Sequence, residues 1–263
     1  WLRAKYADTI RQGKQGSQNE DFEKIGTRFH SWIRENLSKV CLAENDSYTF
    51  SKFINQDFKF YLRAYLIIME ASIKLQKDTE HIYYIDDWGI ATSLSYPLLL
   101  APLNIDDTDE IIKMKMNLVA KYIETFVVRR SINYKKFASS SIRYTMYTLV
   151  KEIRGKTIDE LRSILTFKLE SMPETWDKMN KFGMHGQNKR FVKFLLSRMS
   201  SYIDKHAGIN TNYDSYFRPE GKQFEIEHIW ANKYERHKNE FDQKADFEVF
   251  RNRIGDLVLL PRG

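Results

Sequence analysis

Apolar residues recur at helical spacing through most of this chain, and two short apolar runs near its C-terminal end break that rhythm. Phe22, Ile25, Phe29, Trp32, Ile33 and Leu37 predict a helix from about Asn19 to Val40. A similar rhythm continues from Tyr48 to about Leu75, whereas Ile82-Tyr83-Tyr84-Ile85 is short enough to read as strand or helix. Asp107 or Thr108 can cap a long helix carrying Ile111, Met114, Leu118, Tyr122, Ile123 and Phe126. Thr157-Ile158-Asp159-Glu160 is a capping box, opening a helix with Leu161, Ile164, Leu165 and Leu169 that closes before Pro173. From Gln187 to His206 another helix turns Phe191, Phe194, Leu195, Met199 and Ile203 inward and stops at Gly208. After Phe217-Arg218-Pro219 the order becomes strand, loop or helix, then strand, with Gly255 as the hinge into the second strand. Gly13 to Asn19 reads as a flexible loop.

The fold expected from this pattern is mainly α with a small C-terminal α+β unit. A helical scaffold over residues 1–175 leads into a domain over 176–263, with the boundary between Pro173 and Gly186. Composition narrows the class. At 263 residues and 42% hydrophobic content the chain can bury a sizeable core, and its apolar runs are too short to span a bilayer. The start at Trp1, with no signal-like segment, reads as a cytoplasmic piece of a longer polypeptide with no membrane association. The single cysteine, Cys41, sits among apolar residues and is expected to be structural; it rules out an internal disulfide and a cysteine-based zinc site.

Net charge is +7, and its distribution matters more than its size. Lys181, Lys189, Arg190, Lys193, Arg198 and Lys205 face only Asp204 between residues 181 and 205, directly ahead of the two apolar runs. Lys189, Arg190, Lys193 and Arg198 are the candidate nucleic-acid contacts, against the plainer reading of a solvated helix face.

The chemistry concentrates in Phe224-Glu225-Ile226-Glu227-His228-Ile229 and Ile254-Gly255-Asp256-Leu257-Val258-Leu259-Leu260-Pro261. An acid and a histidine stand side by side at the end of a short apolar strand. Phosphodiester hydrolysis needs an activated water and relief for charge growing on phosphate. A carboxylate can hold a divalent cation and an adjacent imidazole can deprotonate water. Glu227 is the candidate metal ligand, His228 the candidate general base, and Glu225 the competing carboxylate. Neighbouring strand residues point to opposite faces, so Glu227 and His228 can share a site only where the strand ends. His237 lies in the charged stretch Glu235-Arg236-His237-Lys238, expected to be a solvated helix; His30, His81, His185 and His206 have no paired acid at ligand spacing.

These two segments resemble the first two parts of an HNH (ββα-metal, His-Me finger) nuclease, in the form found at the C-terminal end of GmrSD-type modification-dependent restriction enzymes. Phe22 to Arg34, Phe126-Val127-Val128-Arg129-Arg130 and Gln187-Asn188-Lys189-Arg190 resemble the helical region of such proteins. The resemblance implies an HNH-type endonuclease with Mg²⁺ or Mn²⁺ as cofactor and an Asn or His beyond residue 263, on the final helix of the motif, as the third ligand. Without that helix the fragment is expected to be inactive alone. Family members most often carry Asn where Asp256 stands, bracing the loop and orienting the histidine. Asp256 can accept hydrogen bonds but, ionised, cannot donate them, and Asn252 is the candidate for the missing donor. The implied partners are DNA, in particular modified phage DNA, and an N-terminal NTPase domain on the same or a partner chain, whose Asp-Gly-Gln-Gln-Arg motif is absent here. Two rivals stand beside this reading: a degenerate, non-catalytic nucleic-acid-binding or partner-docking domain, and an RNA-directed nuclease.

Overall fold

The computed structural model describes residues 1–13, 15–16, 20–87, 90–219 and 221–263, arranged as two compact units, Trp1–Glu174 and Thr175–Gly263. The helix expected from Asn19 starts outside the described residues, as does part of the loop read over Gly13 to Asn19. Within the first unit the helices are α1 (Leu2–Tyr6), α2 (Asp21–Glu35), α3 (Ser47–Lys52), α4 (Lys59–Ile73), α5 (Glu80–Asp87), α6 (Thr92–Leu100), α7 (Asp109–Ile132), α8 (Ser139–Ile153) and α9 (Ile158–Glu170). A π-helical stretch, Phe53–Phe58, joins α3 to α4. The ambiguous run Ile82–Ile85 is helical, inside α5, and all four of its side chains are buried.

The long α7 is the axis of this unit, packing against α5, α6 and α9. Ile112, Met116, Val119, Ile123 and Val127 form its buried stripe, each contributing roughly 1.5–3 kcal/mol by leaving water. Met114, expected on that stripe, is 46% exposed. Thr108 caps α7 through its side chain, while Asp107 turns back to accept from Asn104 N and from the buried Lys115 ammonium (both 2.8 Å). The capping box at Thr157 and Glu160 is present, and its hydrogen bonds pull the Glu160 carboxyl down to about 2. In α2, Phe22 and Trp32 are fully buried, but the backbone breaks at Arg28 (φ −144°, ψ 49°) and Phe29 swings out to 56% exposure. Cys41 is also exposed, with φ +57°, in the turns after α2, which corrects the expectation of a packed structural thiol.

Arg129, in a segment singled out by resemblance, has a structural task. Its guanidinium is buried and donates to the carbonyls of Leu169, Met172 and Glu174, satisfying the end of α9 and the turn after it. Arg130 pairs with the Glu174 carboxylate at 3.0 Å. No helix among the described residues is long and apolar enough to cross a membrane.

The second unit contains α10 (Lys189–His206), α11 (Tyr213–Phe217), α12 (Lys244–Arg251) and two strands, β1 (Phe224–His228) and β2 (Leu257–Pro261). The strands pair antiparallel in the register Phe224↔Pro261, Ile226↔Leu259 and His228↔Leu257. A two-stranded sheet alone is marginal in water. Here α10 packs against β2, and Leu257 and Leu259 are buried while Ile226 is half-buried.

Candidate active site

β1 ends at His228, whose rung with Leu257 is the last of the sheet. Phe224, Ile226 and His228 are half-buried on one face, whereas Glu225 and Glu227 are exposed on the other. The structure therefore does not bring Glu227 and His228 to one face. Glu225 lies 3.5 Å from Arg262, so it already has a counter-charge. Glu227 has no ion-pair partner among the described residues.

What the structure does bring to His228 is Asn252, from the end of α12. The separation between His228 Nε2 and Asn252 Oδ1 is 2.8 Å. A carboxamide oxygen only accepts, so Nε2 carries a proton, and in the neutral ring the lone pair then lies on Nδ1. Asn252 thus meets the ring as an acceptor, not as the donor expected from the sequence.

Asn252 is itself fixed from behind. Its carbonyl accepts from Met184 N at 2.7 Å, and Ile254 N donates to Phe182 O at 2.9 Å, an antiparallel bridge centred on Gly183 and Arg253. A Cβ on Gly183 would stand 3.1 Å from Asn252 O, tighter than most side-chain contacts, so a larger residue here would push the two segments a few tenths of an ångström apart. The Asn188 side chain closes the 183–188 turn, accepting from His185 N at 2.7 Å and donating to Gly183 O at 2.9 Å, just ahead of α10. Gly183 was invisible as a site support in the sequence, because its partners at Asn252 and Arg253 are remote along the chain; Asn188 closes a local turn whose bearing on the site only the fold reveals.

The stretch after β1 is tied to the same turn. Ile229 N donates to Asp256 O at 2.9 Å, Arg251 Nε donates to Trp230 O at 2.7 Å, and the Asp256 carboxylate accepts from Trp230 N. Asp256 is buried and its Oδ2 has no partner among the described residues. Burial pushes its carboxyl above the ordinary range, opposed by the Trp230 amide and by nearby His228 and Arg251. An Asp here braces the loop by accepting, but it strands one oxygen that an amide nitrogen would have made a donor.

The connection between the strands is an aromatic cluster rather than a solvated charged helix. His237 stacks on Trp230 (centroids 4.4 Å) and on Phe247 (5.2 Å), with Nδ1 at 3.1 Å from Glu240 Oε1. Elsewhere His81 finds a buried acid that its neighbours in sequence did not reveal, Glu124 at 2.6 Å. His30, His185 and His206 are exposed.

Of the four candidate nucleic-acid contacts, Lys189 and Arg190 are exposed on the first turn of α10. Arg198 is half-buried, and Lys193 lies over the Phe217 ring (5.9 Å), where desolvation lowers its ammonium against an opposing pull from Glu225.

As for a divalent cation, among the described residues no group of three or more His, Cys, Asp or Glu side chains is placed to hold one. Glu227 offers one carboxylate, which is part of an oxygen-ligand set and not a whole one.

Residues 141–263 match the family described as GmrSD restriction endonucleases, C-terminal domain; the match begins in α8 and runs through the whole of the second unit. The resembling segments Phe22 to Arg34 and Phe126 to Arg130 lie outside it. No curated protein and no solved structure matches the chain. With the strand-end histidine and the two-stranded sheet both inside the matched stretch, residues 141–263 are a C-terminal domain of the GmrSD restriction-endonuclease type.

Proposed function

We propose that the second unit is the DNA-cleaving module of an HNH-type restriction endonuclease, with His228 as the general base that takes a proton from the attacking water. The observation that carries this reading is the 2.8 Å bond from His228 Nε2 to Asn252 Oδ1. It fixes the ring in one tautomer and leaves Nδ1 as the basic atom. A base must be positioned before its basicity counts, and the bridge from Phe182–Met184 through Asn252 supplies that positioning.

Glu227 is the residue we assign as one ligand of a Mg²⁺ or Mn²⁺ ion. Such an ion, when bound, would stabilise charge growing on the phosphate. Lys189 and Arg190, at the N-terminal end of α10, place two cations where the helix dipole disfavours them, a position suited to phosphate. DNA as substrate follows from the restriction-endonuclease family; action on modified phage DNA, a partner NTPase domain and a cytoplasmic defence role are further parts of the proposal.

His228→Ala in the complete protein should lower DNA cleavage by roughly 10²–10⁴-fold while binding persists. Near-parental cutting would remove His228 from the mechanism. The unpartnered Asp256 oxygen favours the rival of a degenerate, non-catalytic domain, which predicts no cutting by the parent either. Parallel assays on plain DNA, modified DNA and RNA separate the RNA-directed alternative.

A further inference from the structure

In the first unit, His81 lines a cavity of about 730 Å³ between the turn into α5, one face of α7 and the start of α9. That volume lies in the range of pockets that hold a small organic ligand. Such pockets combine apolar walls with a few convergent polar groups, and this one has both.

The polar groups gather around His81. Its Nδ1 is 2.6 Å from the Glu124 carboxylate, so Nδ1 donates, and in the neutral ring the lone pair lies on Nε2. Nε2 is 4.0 Å from Glu80 Oε1, and the other Glu80 oxygen is buried with no hydrogen-bond partner among the described residues. Two acceptors thus stand side by side, at a separation that one nitrogen with two N–H bonds bridges at ordinary lengths of about 2.9 Å. Beside them Asn117 Oδ1 accepts from His81 N at 3.0 Å, which leaves the Asn117 amide N–H₂ as a neighbouring donor. Acceptors next to a donor match the amino edge of a nucleobase, where an exocyclic N–H₂ adjoins a ring nitrogen that accepts.

The remaining lining fits the rest of a nucleotide. Met114, Leu118 and Ile158 are apolar and only partly covered, a surface for the face of a ring. Lys77, Lys113 and Lys121 are in no ion pair among the described residues, whereas Arg162 is paired with Asp159 at 3.1 Å. Asp78 and Glu110 share the rim, so the charge balance suits one phosphate better than a chain of them.

We propose that this cavity binds a nucleoside monophosphate whose base carries an exocyclic amine, the amine between Glu80 and His81 and the phosphate among Lys77, Lys113 and Lys121. The site is built within the first unit and takes nothing from the nuclease reading.

The test is calorimetric titration of the full chain in EDTA. The probes are two pairs of monophosphates that differ at the amino edge, cytidine against uridine and adenosine against inosine, with unphosphorylated cytidine and adenosine as controls. The amino member of at least one pair should bind roughly 10- to 150-fold tighter than its partner, the worth of a hydrogen bond to a charged acceptor. Glu80→Gln, whose carboxamide donates as well as accepts, should cut that preference to about threefold or less. Asn117→Asp keeps the acceptor for His81 N but removes the donor, and should weaken the amino member roughly 10-fold even if Glu80→Gln fails to fold. Replacing Lys113 and Lys121 by Gln should weaken the monophosphate roughly 10-fold and leave its nucleoside within about twofold. A parent that binds none of the monophosphates at millimolar concentration, or binds both members of each pair equally, would overturn the proposal. So would a preference that survives Glu80→Gln, binding unchanged by Asn117→Asp, or nucleosides that bind as tightly as their monophosphates.

Discussion

Replacing Asn252 by Leu, of similar size but with no acceptor, isolates the contribution of its carboxamide to the action of His228. The side chain makes one bond to the ring, at 2.8 Å, whereas the backbone carbonyl that holds the turn to Met184 is untouched by the substitution. One neutral hydrogen bond contributes about 0.5–1.5 kcal/mol net. At about 1.4 kcal/mol per decade, its loss should slow cleavage by roughly 2- to 12-fold. Removal of the imidazole should cost far more, about 10²–10⁴. Asn252→Asp retains an acceptor at the same place and should keep more activity than Asn252→Leu. Single-turnover nicking of supercoiled plasmid by the complete protein under saturating Mg²⁺ measures all three. A fall for Asn252→Leu as deep as that for His228→Ala would mean that Asn252 takes part in the chemistry directly. Equal activity in the parent and the Leu variant would show that the bond does not position the ring.

Three further outcomes concern stability. Arg129→Met strips buried carbonyls at residues 169, 172 and 174 of their donor and should destabilise the first unit by about 3 kcal/mol in urea unfolding; a loss under about 1 kcal/mol would refute the capping role. Asp256 has a raised carboxyl, so its folded form is favoured when protonated and that advantage is lost as pH rises through the raised value. Asp256→Asn should therefore raise the melting temperature of the second unit at pH 7 to 8, with the gain shrinking in acid, and a pH-independent difference would contradict this. Glu160 behaves oppositely. Held down to about 2 from 4.5, it stabilises above 4.5 and stops doing so as pH falls through about 2. Glu160→Gln should accordingly be less stable than the parent at neutral pH and equal to it in strong acid, as circular dichroism melts would reveal.

Local signals were legible in the sequence and long-range ones were not. The capping box at Thr157, the cap at Thr108, and the strands around His228 and Leu257 depend on residues a few positions apart, and all are present. Phe29 fits its helix by spacing but is exposed, because the backbone break at Arg28 turns it outward. Met199 and Ile203, expected inward on α10 but 47% and 61% exposed, show a subtler limit: periodicity says which face is apolar, not whether anything lies on it. Around His228 the sequence pointed to the adjacent Glu227, which strand alternation sends to the opposite face. Gly183 and Met184 meet Asn252 through backbone atoms remote along the chain, which leave no trace in residue type, whereas the Asn188 side chain closes a local turn.

The closure at the base of the inter-strand connection has a consequence for its length. His228 with Asn252, Ile229 N with Asp256 O, and Trp230 O with Arg251 Nε all join the two ends of that excursion, so its middle is anchored by its own aromatic cluster and not by the histidine. Once a loop is pinned at its neck, doubling its contour adds only about 0.6 kcal/mol of closure entropy. The stretch around Lys238 and Asn239, exposed at its far end, is thus a place where segments can be spliced in or exchanged while the geometry at His228 and Asn252 is kept.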